Sequence, residues 1–182
     1  MNTNTKTVNS YAVTLAILII VSWAHPCHAE EIRSRFTTID FGDEITLQEL
    51  NRNLLIDNLE YMLKNKTSLT ISEEVADKLD VIVEKVEEVL EMFPENLQFK
   101  VVLLPTSLDV QNLHREKYGR KVPYIAFYAP RDNTVYISTQ DASLAVITHE
   151  IAHVVLTHYL EVSPSSKIHE VLAQYAEQHI VQ

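Results

Sequence analysis

Two histidines four residues apart, with a glutamate directly after the first, are the residues of this 182-residue chain best suited to chemistry. They stand in Val146-Ile147-Thr148-His149-Glu150-Ile151-Ala152-His153-Val154-Val155, a His-Glu-x-x-His set inside an apolar run. On a helix, positions four apart lie one above the other, so His149 and His153 offer two imidazole nitrogens to one metal ion from a rigid support. Glu150 is about 100° further round the helix. From there it is badly placed as a third ligand but well placed as general base toward a zinc-bound water. Two imidazoles on zinc beside a glutamate base form the pattern of metal-assisted hydrolysis. The β-branched flanks predict a buried helix, where unpartnered imidazoles and carboxylates are costly. A bound ion removes that cost.

A catalytic zinc takes three protein ligands and keeps a fourth position open. The downstream acids are Glu161, Glu170 and Glu177. Glu161 lies two turns past His153, about 12 Å along the same axis, which is too far. Glu170 follows the break Ser163-Pro164-Ser165-Ser166, near the start of a helix that can pack back across the first. It is the expected third ligand. Glu177 faces the same way but is displaced by about 10 Å. The chemistry also needs an oxyanion donor. Tyr175 is the candidate named for it, ahead of His158, Tyr159 and His169, on proximity alone. His114 and His179 receive no role.

His149-Glu150-Ile151-Ala152-His153, sixteen residues, then Glu170-Val171-Leu172-Ala173-Gln174-Tyr175 resembles the gluzincin metallopeptidases, the thermolysin-like part of the peptidase MA class. In that group HExxH is followed by a segment of the type E-G-L-A-E-Y. The resemblance spans Tyr124 to Gln178, about a third of the chain. It implies Zn²⁺ as cofactor, a peptide or protein substrate, and a zincin-like fold with a small mixed sheet beside the HExxH helix. The strand before that helix would form the upper rim of the cleft. Two departures stand out. Val171 replaces a common glycine, which bears on how closely the two helices approach. Gln174 stands where an acid often binds a ligating histidine. An uncharged glutamine raises ligand basicity less, so weaker metal binding is expected.

The remaining elements must position these groups. Glu31 to Glu44 has no clear period and reads as an extended arm or an added strand. Thr46 with Glu49 forms a capping-box pattern for a helix running to about Asn65. Ser72 is the expected cap of a long amphipathic helix ended by Pro94, with the run Glu84-Lys85-Val86-Glu87-Glu88 as its solvated face. Phe99–Leu104, Tyr124–Tyr128 and Thr134–Ser138 read as strands, the last two as a hairpin. Ser107 to Tyr118 reads as a short helix or ordered loop closed by Gly119. Asp141 is expected to open the metal helix, which ends near Tyr159. A last helix covers Lys167 to about Ile180. The fold class is α+β: a small sheet, the HExxH helix, a long backing helix and a C-terminal helix.

Residues 1–29 read as a secretory signal peptide. Tyr11–Trp23 is an apolar run too short to span comfortably, followed by Cys27-His28-Ala29 before the acidic pair Glu30-Glu31. Cleavage after Ala29 removes the only cysteine, leaving residues 30–182 as one disulfide-free domain that is periplasmic or secreted. An uncleaved N-terminal anchor is the alternative. The formal charge of −10 argues against nucleic acid or an anionic membrane surface as partner. With two glycines there is little room for a phosphate-binding loop. Two rival readings remain open: a non-catalytic, metal-stabilised periplasmic binding module, and an interaction protein in which the motif is accidental.

Overall fold

Alternation of inward and outward side chains builds five strands in the computed structural model, which describes residues 30–64 and 66–181. The strands are β1 (Glu30–Arg33), β2 (Thr37–Phe41), β3 (Phe99–Leu104), β4 (Ala126–Ala129) and β5 (Thr134–Ser138). They form one mixed sheet in the order β1-β2-β3-β5-β4. The two edge pairs are antiparallel and the two central pairs parallel. The expected signal peptide and Cys27 lie outside the described residues.

Six α-helices accompany the sheet among the described residues: α1 (Glu44–Asn53), α2 (Glu60–Leu63), α3 (Ile71–Leu90), α4 (Ser107–Tyr118), α5 (Leu144–Tyr159) and α6 (Ser166–His179). The architecture is α+β. Phe99, Val101, Leu103, Val135 and Ile137 turn one sheet face into the main core, with Leu79, Ile82, Ile147 and Ile151 of the helices. The opposite face carries Phe127, Ala129 and Tyr136 against Val110 of α4. Sheet positions two apart share a face, so β4 sends Ala126 and Tyr128 one way and Phe127 and Ala129 the other. No helix among the described residues is long and apolar enough to cross a membrane.

Several expectations give way. The single helix from Thr46 to about Asn65 is broken: α1 ends at Asn53 and a 3-10 turn occupies Asp57–Leu59. Leu54, Ile56 and Leu59 are all buried, and the first two are 200° apart on a continuous helix. Breaking it lets both reach the core. Asp43, not Thr46, caps α1 by accepting from the Thr46 amide at 2.8 Å. Thr70, not Ser72, caps α3, in a reciprocal capping box with Glu73. The supposed solvated face of α3 is partly interior, for Lys85 and Glu87 are both buried. The segment expected to be an extended arm or an added strand forms two strands, β1 and β2, with β2 inside the sheet. The expected strand Tyr124–Tyr128 shifts to Ala126–Ala129.

α5, which carries the His-Glu-x-x-His set, is placed by its two ends. Ser143 caps α5 by accepting from the Val146 amide at 3.3 Å. Asp141 precedes the helix and accepts from Ser138 Oγ at 2.6 Å, tying the end of β5 to the approach of α5. At the other end His158 Nε2 lies 2.8 Å from Asn133 Oδ1, which also accepts from Tyr128 Oη at 3.1 Å. Asn133 takes the left-handed conformation (φ 49°) in the β4–β5 turn, a region asparagine tolerates better than most residues. The hairpin and α5 are thereby fastened together.

Candidate metal centre

The apolar composition of α5 buries most of its surface. Ile147, Ile151, Val154 and Val155 are within 1% of full burial. That fixes the rotation of the helix and leaves His149, Glu150 and His153 facing a cleft. α6 packs back across α5 after the Ser-Pro-Ser-Ser break, seating Ala173 and Ala176 in the core at 0% exposure. Val171 is exposed, so the departure from glycine at this position has no bearing on how close the helices come. The two alanines set that distance.

The crossing brings Glu170 to both imidazoles. His149 Nε2 lies 3.5 Å from Glu170 Oε2, and His153 Nε2 lies 3.5 Å from Glu170 Oε1. One donor atom from each of the three lies within 4.8 Å of the others, an arrangement that could hold a metal ion. The separations are telling. An N–H···O hydrogen bond spans about 2.7–3.2 Å, so 3.5 Å is too long for one. Glu161 stays outside this cluster, as expected.

Glu177 supplies a contact that the sequence reading assigned elsewhere. Its Oε2 lies 3.2 Å from His149 Nδ1, the nitrogen turned away from Glu170. A carboxylate there accepts from Nδ1–H, orients the ring and leaves the Nε2 lone pair directed toward Glu170, where an ion could be held. Gln174, the position expected to do this, is exposed. Weaker metal binding was expected because Gln174 lacks charge, and that ground is gone. The signal was available: Glu177 is seven residues from Glu170, hence on the same helix face. Glu177→Gln keeps an acceptor but removes the charge, and is expected to weaken zinc affinity about 10–100-fold. Competition with a chromophoric chelator measures it, and unchanged affinity would mean that His149 is oriented by packing alone.

Electrostatics separate the roles further. Burial, with a smaller push from His149, holds the His153 imidazole down at about 4, so it is neutral and free to ligate at neutral pH. Burial pushes the Glu150 carboxyl up to about 7, against the opposing pull of His149 and the Tyr128 amide. Tyr128 N donates to Glu150 Oε2 at 2.8 Å, so the edge strand positions the carboxyl. Sequence reasoning could not supply this backbone contact.

Tyr175 is not brought to the cleft. It is exposed on the outer side of α6, its ring stacked on His179 at 4.1 Å. His158 is engaged with Asn133. Among the proximity candidates His169 is the one that lines the cleft, stacked 5.9 Å from the His153 ring with Nε2 3.2 Å from Ser163 Oγ. The cleft has a volume of about 960 Å³. Compared with protein-family models, curated proteins and solved structures, the chain finds no match in any of the three.

Proposed function

We propose that the chain is an exported zinc-dependent peptidase of the zincin type, with His149, His153 and Glu170 as ligands and Glu150 as general base. The observation that carries the reading is the spacing of the donors. Adjacent ligands on a tetrahedral zinc with bonds of about 2.0–2.1 Å lie about 3.3–3.4 Å apart. Each imidazole Nε2 stands 3.5 Å from a different Glu170 oxygen, close to that edge and long for a hydrogen bond, and one donor atom from each of the three residues lies within 4.8 Å of the others. The donor set, two imidazole nitrogens and one carboxylate, also suits zinc rather than calcium or magnesium.

When bound, zinc would supply Lewis-acid polarisation of a carbonyl and acidify a water to near neutrality. The chain does the rest. Glu150 is held on the Tyr128 amide at the edge of the cleft, where its carboxylate can take up a proton and release it. Its proton would pass to the leaving nitrogen. His169 faces the cleft beside His153 and replaces Tyr175 as the candidate donor to a developing oxyanion. β4 is an edge strand lining the cleft, suited to holding a peptide extended beside it.

Elemental analysis of residues 30–182, followed by a peptide-hydrolysis assay, tests the reading. About one zinc per chain is expected, with hydrolysis lost to a chelator and restored by added zinc. Zinc without turnover on a broad peptide mixture would favour the binding-module alternative. A folded chain that takes up no zinc would overturn the metal site altogether.

A further inference from the structure

The cleft does not end at the triad. It continues round the edge of β4, which no strand among the described residues covers, onto the other face of the sheet, where its lining includes His114, Tyr118, Arg120, Tyr124 and Phe127. His114 stands at the centre of this end. Its ring meets Tyr118 at 4.8 Å, Phe127 edge-on at 5.0 Å and Tyr124 edge-on at 5.1 Å. The ring is buried, and its Nδ1 lies 3.1 Å from the Arg120 carbonyl. A carbonyl only accepts, so Nδ1 carries the proton and holds the loop after α4 in place. Gly119 makes that loop possible: at φ 71° it ends α4 in the left-handed conformation and turns the chain back along the aromatic cluster.

Two features of this end ask for a ligand. Tyr118 and Tyr124 are 40% and 45% exposed, leaving ring surface open beside a histidine that is itself packed. Charge is also distributed unevenly. Glu150, Glu170 and Glu177 all lie at the triad end, whereas Arg120 is the only lysine or arginine among the lining residues. Between the two ends runs the outer edge of β4. Ser138 N bonds the Ile125 carbonyl, so odd-numbered residues face β5 and the main-chain groups of Ala126 and the Tyr128 carbonyl point outward, the Tyr128 N–H being held by Glu150.

We propose that the far end of the cleft is a subsite for an aromatic side chain of an extended peptide, with a neighbouring acidic side chain meeting Arg120. This rests on the reading of the cleft as a peptide-hydrolysing site. Tyr124 lies four positions before Tyr128, which holds Glu150, a span of about 13 Å in extended chain. The selected aromatic residue therefore lies three or four positions from the cleaved bond. The enzyme reads sequence at a distance from its chemistry, and small chromogenic substrates would miss that selection.

Binding and cleavage are tested separately. Fluorescence anisotropy on zinc-loaded Glu150→Gln protein compares two labelled decapeptides, one carrying Phe-Asp and the other Ala-Ala at the same positions. The Phe-Asp peptide is expected to bind about tenfold more tightly. Tyr124→Ala and Tyr124→Leu in that background should erase most of the advantage. Arg120→Ala should erase only the part owed to Asp. Equal binding of the two peptides, or an advantage that survives both Tyr124 variants, overturns the subsite. Product analysis with wild-type protein reads the other question. Aromatic-dependent binding without any cleavage would sustain the subsite and overturn the peptidase. Cleavage with no positional preference and equal binding would do the reverse.

Discussion

Glutamine in place of Glu150 is expected to leave zinc content at the wild-type level and to lower kcat by about 10²–10⁴-fold, the usual contribution of a positioned acid–base group. The substitution is nearly isosteric. Its amide oxygen can still accept from Tyr128 N, which Glu150 holds at 2.8 Å, so the edge strand and the cleft keep their shape. Glu150 is outside the set His149, His153 and Glu170, so none of the three donors is touched. What is lost is the ability to take a proton. Stability offers an independent control. The folded Glu150 carboxyl is raised to about 7, above its ordinary 4.5. Without zinc, its contribution to stability is therefore full below about 4.5 and lost as pH rises through about 7. At pH 8 the glutamine variant, which has no charge to bury, should melt no lower than wild type in the metal-free form. Calorimetry checks this. Full zinc and a wild-type melting temperature with kcat within about threefold of wild type would remove Glu150 from the mechanism.

The helix carrying His149 and His153 and the approach of Glu170 to it were the most legible parts of the chain because both rest on short-range geometry. His149 and His153 are one turn apart, and any helix through them sets their relation. Glu170 was reachable because Ser163-Pro164-Ser165-Ser166 forces a reversal that short helices can follow. α4 and its Gly119 stop, β3 and β5 were legible for the same reason: each is bounded by its own signals, and each falls on the expected residues. Where two signals competed locally, the reading failed. Thr46 with Glu49 and Ser72 with its acids both looked like caps, yet Asp43 and Thr70 hold the amides, two or three residues earlier.

Longer-range relations were not legible. Nothing between Glu31 and Glu44 announces that β2 inserts between β1 and β3, since that depends on a parallel partner some sixty residues away. Lys85 and Glu87 look like a solvated face, but the helix is covered on more than one side, and burial there raises the Glu87 carboxyl. Tyr175 was chosen because it follows Glu170 closely in sequence. Five residues along a helix is 500°, so Tyr175 points about 140° away from Glu170 and finds His179 instead. Glu177 at seven residues comes back to within about 20° of Glu170, and helical arithmetic alone would have preferred it as the second acid of the site.

Removing Glu170 is expected to have the largest effect on the metal, with zinc affinity falling by at least about 10²-fold and occupancy well below one per chain after dialysis. Glu170 is the one charged member of the triad, and its two oxygens stand 3.5 Å from one imidazole each. Its side chain is 55% exposed, so Glu170→Ala opens no buried cavity and strands no buried partner charge. Loss of zinc in a folded variant would then report on ligation alone. His153→Ala would be a poorer probe, because that ring is only 16% exposed and its removal leaves a void against the helix. Glu177 is the side chain that could compensate. It already touches His149, but through Nδ1, and reaching the Nε2 side requires it to leave that contact. Comparing Glu170→Ala with the double variant Glu170→Ala/Glu177→Ala separates the two. Residual zinc that disappears only in the double variant means Glu177 has moved in as substitute. Undiminished zinc in both would place the ion on other donors, and with it would go the assignment of this cleft as the catalytic one.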